Sequence, residues 1–173
     1  MHLYKVTAPL KSRLFNPTKF YRTQDFRSSS PRPKPGYISE CLLYAGDFDE
    51  ISNHLFPKIH RIRVRNSEIS RSELSTLGYE TDPEKRCFIF VNKGDETQIM
   101  AFVANVYIFE DRHFTKTPSN EYISREPVEA VGSESYAMPE ILRRWGIQLV
   151  FVDSVPELSR ILTNAGVDYS YQT

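Results

Sequence analysis

Positive charge and aromatic rings interleave most densely between residues 11 and 34. Lys11, Arg13, Lys19, Arg22, Arg27, Arg32 and Lys34 stand there against Asp25 alone, with Phe15, Phe20, Tyr21 and Phe26 among them. Ammonium and guanidinium groups grip phosphates and aromatic rings stack on bases, so the segment has the chemistry of a nucleotide or single-strand binder. The same residues also suit a solvated loop whose rings anchor it to the domain. Metal chemistry has less to work with. His2, His54, His60, His113, Cys41 and Cys87 lack the close pair spacings that place two ligands on one turn or knuckle. No metal site is expected. There is no Walker-type phosphate loop, no Gly-x-Gly-x-x-Gly fingerprint and no serine nucleophile elbow, which sets those chemistries aside.

The elements that must position these residues follow from periodicity and breakers. Residues 3–6 alternate as a half-buried strand does. From Pro9 to Gly36, five prolines and the run Ser28-Ser29-Ser30 predict one long loop, functional or poorly ordered. Residues 37–45 read as a core strand. Asp47 and Glu50 then form a capping box for a helix that Pro57 stops. Residues 59–65 alternate apolar and basic, predicting a strand with one solvated face. Ser70 and Glu73 form a second capping box for a helix reaching Leu77, ended by Gly78. Strands over 86–92 and 99–109 are expected to join through a hairpin turn at 93–96. A strand over 121–124 continues through 128–131 beyond a kink at Pro127. A helix around 139–145, a strand over 148–152 and a helix opened by Ser154 and ended at Gly166 complete the chain. Strands and helices do not alternate regularly, so the expectation is one α+β domain over residues 1–173 and no doubly wound parallel sheet.

Composition bounds the partners. The chain has 173 residues, 40% hydrophobic and 25% charged, which is ordinary for a domain with its own core. Aromatic residues reach 13%, and they serve cores and ligand pockets equally. Formal net charge is zero, so no global field recruits nucleic acid or anionic membrane. Two cysteines do not make a disulfide framework, and no run approaches the roughly 20 apolar residues of a spanning helix. No secretory signal is evident at the start, and the expected location is cytoplasmic, in the producing cell or a host cell.

An ordered set of strand signatures carries a resemblance. Leu3-Tyr4-Lys5-Val6-Thr7 comes first and residues 37–45 second, running into the helix at Asp47. His60-Arg61-Ile62-Arg63-Val64 follows. Val106-Tyr107-Ile108-Phe109, Phe114 and the run from Glu121 to Val128 come late. This resembles the ADP-ribosyltransferase-like superfamily, especially its small bacterial, phage and toxin-like members, over residues 1–65 and 100–131. The resemblance implies a split β-sheet core flanked by short helices and NAD as substrate. It implies ADP-ribosyl transfer, a glycosyl-transfer reaction, to a protein or nucleic-acid acceptor. In the family an Arg or His on the first strand helps hold NAD. Lys5 stands at that position here, with His2 as the alternative. Second-strand residues line the nicotinamide pocket, for which Tyr37, Ser39 and Tyr44 are the candidates. An acid entering the late strand stabilises the ribosyl cation, which makes Glu121 the expected catalytic residue, with Glu126 in reserve. The same fold with a degraded pocket would instead be a non-catalytic binding module, acting by protein or nucleic-acid contacts.

Overall fold

Short β-branched and aromatic runs cut by proline and glycine become strands, and the capped apolar stretches become helices. The computed structural model describes residues 1–173. In chain order the elements are β1 His2–Val6, β2 Leu14–Phe15, β3 Thr18–Arg22, β4 Ser29–Ser30, β5 Ile38–Ala45, β6 Arg61–Arg65, α1 Glu68–Thr76, β7 Cys87–Asn92, α2 Glu96–Met100, β8 Val103–Glu110, β9 Thr115–Lys116, β10 Tyr122–Ser124, β11 Val128–Glu129, β12 Gly132–Ala137, α3 Met138–Arg144, β13 Ile147–Val152, α4 Val155–Asn164 and β14 Ser170–Gln172. The chain is α+β. It divides into two compact units, residues 1–55 with 104–135, and residues 56–103 with 136–173.

In the first unit, a five-stranded sheet runs β4-β3-β5-β10-β9 and a three-stranded sheet runs β1-β8-β12. The pairs β1–β8, β3–β4, β3–β5, β5–β10 and β9–β10 are antiparallel. β1 reaches β5's end through one bridge, in which Tyr4 N–H donates to Gly46 O at 2.7 Å and Gly46 N–H to Tyr4 O at 2.9 Å. Gly46 is needed there for space, because a Cβ would lie 3.1 Å from Glu50 Cγ and 3.3 Å from Ile51 Cγ2. Leu3, Phe15, Leu43, Tyr107 and Phe109 fill the core of this unit. Phe15 meets Tyr107 and Phe109 edge to face at 4.9 and 5.1 Å.

In the second unit, the sheet order is β13-β7-β6-β14, with β7 and β13 parallel. The central strand β7 is apolar and buried along almost its whole length, as a strand covered on both faces must be. Leu158 and Leu162 of α4, with Leu74 of α1, close over Phe88, Phe90, Ile62 and Val64. No helix is long and apolar enough to cross a membrane.

Several expectations need correction. Residues 9–36 are not one loop. β3 pairs with β5 over five residues, from Thr18 opposite Leu42 to Arg22 opposite Ile38, and turns back into β4. Thr, Phe and Tyr favour a pleated surface, and this outweighed the surrounding prolines. The 93–96 hairpin does not exist. A 3-10 turn at Lys93–Asp95 leads into α2, so the strand expected from residue 99 starts at Val103, and β7 and β8 belong to different sheets.

The solvated face expected of 59–65 also fails at Arg61, which is buried. Its Nε donates to Gln172 Oε1 at 3.0 Å and its guanidinium lies over Phe56. The second capping box opens earlier than expected. Ser67 is the N-cap and Ser70 its reciprocal partner, because Ser67 Oγ accepts from Ser70 N–H and Ser70 Oγ accepts from Ser67 N–H. The first box holds at its leading residue, with Asp47 Oδ1 accepting Glu50 N–H at 2.8 Å, but the helix after it is a short 3-10 turn, Glu50–His54. Residues 121–131 form two strands with different partners rather than one kinked strand, β10 against β5 and β9, and β11 against β2.

Candidate functional site

The strand pleat decides which side chains can share a pocket. Directly paired residues lie on one face, and neighbours along a strand alternate. The register Phe20 to Glu40, Arg22 to Ile38 and Ser29, and Tyr44 to Ile123 therefore puts Ser29, Arg22, Phe20, Glu40 and Tyr44 on one face of the five-stranded sheet. A cavity of about 290 Å³ opens beside this face within the first unit, lined by Phe20, Ser29, Tyr44, Lys5, Glu121 and the 3-10 turn's Glu50, among others.

Lys5, Tyr44 and Glu121 thus meet at one pocket. Lys5 Nζ donates to Tyr44 O at 3.1 Å, tying β1 to β5, and burial pushes the amine below its ordinary value. Phe20 and Tyr44 meet edge to face at 4.7 Å and form an aromatic wall. Tyr44 Oη is buried and makes no hydrogen bond. Burial raises its pKa most. The neighbouring Ser29 hydroxyl opposes this while falling short of hydrogen-bond geometry, and the negative charge of Glu121 raises the pKa further. The phenol has no partner within the protein, and the Glu121 carboxylate is near enough for its charge to act on it.

Glu121 is set by the tight connection between β9 and β10. Asn120 takes a left-handed φ of 64°, which a short amide side chain tolerates. Ser119 Oγ donates to Glu121 Oε1 at 3.2 Å, and the buried Thr117 shares a 2.9 Å hydroxyl contact with Ser119. Two hydroxyls in series hold the carboxylate at the cavity wall.

The other expected residues lie elsewhere. Ser39 is exposed and sits on the opposite face of β5, an odd number of positions from Tyr44. Tyr37 precedes the strand, shares a 2.7 Å hydroxyl contact with Ser28 and lies under Lys34. His2 is exposed and alternates away from Lys5 along β1. Glu126 is exposed and lines no part of the cavity. The basic segment contributes Phe20 and Ser29 to the lining but none of its cations. Tyr4, Phe20, Ser29, Glu50 and His54 are lining residues that sequence reasoning missed. The β-forming run from Thr18 to Arg22 was the available signal for Phe20.

Beyond Phe20, Glu40 accepts from Arg22 Nε at 2.7 Å with one oxygen and from Arg125 Nε with the other. The bond from Arg125 holds its carboxyl below the ordinary value of 4.5, burial opposes, and Arg22 adds to the depression. A depressed folded-state pKa contributes stability that is full above the unfolded value and is lost as pH falls through the folded one. Wild type should therefore exceed Glu40→Gln in stability near neutrality, and the gap should narrow in chemical denaturation below pH 4.5. A gap constant with pH would deny the ion pairs that role.

Tyr44→Phe separates ligand from fold. Removing a buried hydroxyl with no partner costs folding nothing and can return part of the roughly 1–3 kcal/mol its desolvation took. A ligand that pairs with it should bind about tenfold more weakly. An unchanged melting temperature with unchanged ligand affinity would exclude Tyr44 Oη from the site.

No family model matches the chain, and no curated protein or solved structure matches it either.

Proposed function

We propose that the first unit is an ADP-ribosyltransferase-like fold whose pocket cleaves NAD and passes ADP-ribose to a macromolecular acceptor, protein or nucleic acid. The observation that carries this reading is the meeting of Lys5, Tyr44 and Glu121 at one cavity. These are a cation on the first strand, a hydroxyl-bearing ring on the second and an acid at the start of the late strand, in the order the resemblance implies. Two sheets joined at a single bridge between β1 and the end of β5 also support a split-sheet fold.

In the reaction the bond between nicotinamide nitrogen and ribose C1′ breaks, and its electron pair leaves with neutral nicotinamide. Positive charge develops at C1′ and the ring oxygen. The Glu121 carboxylate stabilises this charge more in the transition state than in the ground state. The acceptor's nucleophile then bonds to C1′ and gives up its proton. Phe20 and Tyr44 suit a flat ring, and Lys5 supplies a cation to the bound nucleotide.

Lys5 in place of the family's Arg or His favours a second reading, a binding module without turnover, because an ammonium lacks the planar fork of a guanidinium. NAD labelled in its adenylate half, incubated with the protein and a cell lysate, tests both. Transfer of label to a macromolecule supports the enzyme. Saturable NAD binding without transfer or nicotinamide release supports the module. No binding at all would overturn the enzyme and leave the module that acts by protein or nucleic-acid contacts.

A further inference from the structure

The cavity of about 290 Å³ takes one nucleoside-sized half of a dinucleotide, so the phosphates must be met outside it. Glu40 is directly cross-strand from Phe20, the cavity's wall, and Arg22 lies one same-face position farther along β3. Arg125 follows β10 on the neighbouring strand and shares the Glu40 carboxylate. Arg22 pairs directly with Ser29 and Glu40 with Phe20, and Ser29 and Phe20 both line the cavity, so the cluster lies beside it on the same sheet face.

We infer that Arg22 and Arg125, clasped by Glu40, form an anion subsite for the pyrophosphate of the nucleotide, an assignment that rests on reading the pocket as a nucleotide site. Two guanidinium groups against one carboxylate leave a net positive charge. Arg22 is largely covered, with 13% of its side chain exposed, and spends its Nη1 on the carbonyls of Thr23 and Gln24. Arg125 has 53% of its side chain exposed, so it is the member with donors open to a phosphate.

Phe26 fixes the pair. Its ring centroid lies 3.8 Å from the Arg22 guanidinium carbon and 5.7 Å from that of Arg125. Phe26 does this from a φ of 59°, a conformation a bulky side chain rarely adopts. The strain sits at the tip between β3 and β4, and strain of this kind gathers at ligand clamps. Glu40 accepts from both guanidinium groups and competes with the incoming phosphate for them.

Calorimetric titration of the full chain with NAD, nicotinamide riboside and inorganic pyrophosphate tests the assignment. Arg125→Ala should weaken NAD and pyrophosphate about tenfold and leave nicotinamide riboside unchanged. Arg125→Lys, which keeps the charge and loses the fork, should fall between them. Glu40→Gln, which keeps a hydrogen-bond acceptor, should bind pyrophosphate more tightly than wild type. Nicotinamide riboside binding with no gain for NAD, or an Arg125→Ala loss equal for all three compounds, overturns the subsite and leaves the pocket reading standing. Pyrophosphate binding that depends on Arg125, with neither NAD nor nicotinamide riboside bound, overturns the proposed function and leaves the anion site. Silence from all three compounds overturns both.

Discussion

Glu121→Gln should cut NAD cleavage on the order of a hundredfold or more while leaving the fold intact. Glutamine keeps the size of the side chain and still accepts the 3.2 Å hydrogen bond from Ser119, so the turn between β9 and β10 loses little. What disappears is a fixed negative charge beside the carbon that becomes cationic. Removing a group preorganised for developing charge typically costs about 2.7–4 kcal/mol of barrier. The rate should fall with little change in NAD affinity, because the ground state carries less of that positive charge. Single-turnover release of nicotinamide, with melting curves for both proteins, measures the effect. A variant that cleaves as fast as wild type would remove Glu121 from catalysis.

Phe109→Ala should produce the largest loss of stability in the first unit, about 3–5 kcal/mol. Phe109 is completely buried and pairs across the ladder with Leu3, also completely buried. It stacks edge to face on Phe15 and Phe114 at 5.1 and 5.5 Å. The residue two positions along β1 from Leu3 is Lys5, so this core sets the strand that carries the pocket's cation. Such a loss is a large share of the roughly 5–15 kcal/mol that keeps a domain folded. Urea denaturation followed by circular dichroism gives the number. A shift below about 1 kcal/mol would mean the core can collapse around the gap.

Periodicity was legible wherever one rule dominated. β1, β5, β7, β13, α3 and α4 all lie within a few residues of where alternation, apolar runs and caps predict them. It was not legible where local signals conflict with tertiary pairing. Prolines around Thr18-Lys19-Phe20-Tyr21-Arg22 read as loop, yet β5 offers five ladder positions that the β-forming run accepts. Lys93-Gly94-Asp95-Glu96 reads as a hairpin, but a turn's composition carries no information about which sheet the next strand joins.

The site divides in the same way. Lys5, Tyr44 and Glu121 came from the order of strand signatures and line one cavity. Ser39 and Tyr44 could never both face it, since five positions along a strand reverse the side chain. Lining residues such as Ser29, Glu50 and His54 come from a two-residue strand and a 3-10 turn, elements too short to leave a period in the sequence. Of the strand signatures that carry the resemblance, those at 3–7, 37–45, 106–109 and 121–128 lie in the first unit, whereas that at 60–64 lies in the second, in the sheet of β6 and β7.

A crystal structure of the protein with a non-hydrolysable NAD analogue tests the central claim most directly. The nicotinamide ring should lie against Phe20 and Tyr44, with Tyr44 Oη or Lys5 Nζ hydrogen-bonded to the nucleotide. A Glu121 carboxylate oxygen should stand roughly 3–3.5 Å from the ribose at C1′, the separation of groups poised to react. Density for the analogue at any other surface, or a bound analogue with Glu121 pointing away from the ribose, would contradict it.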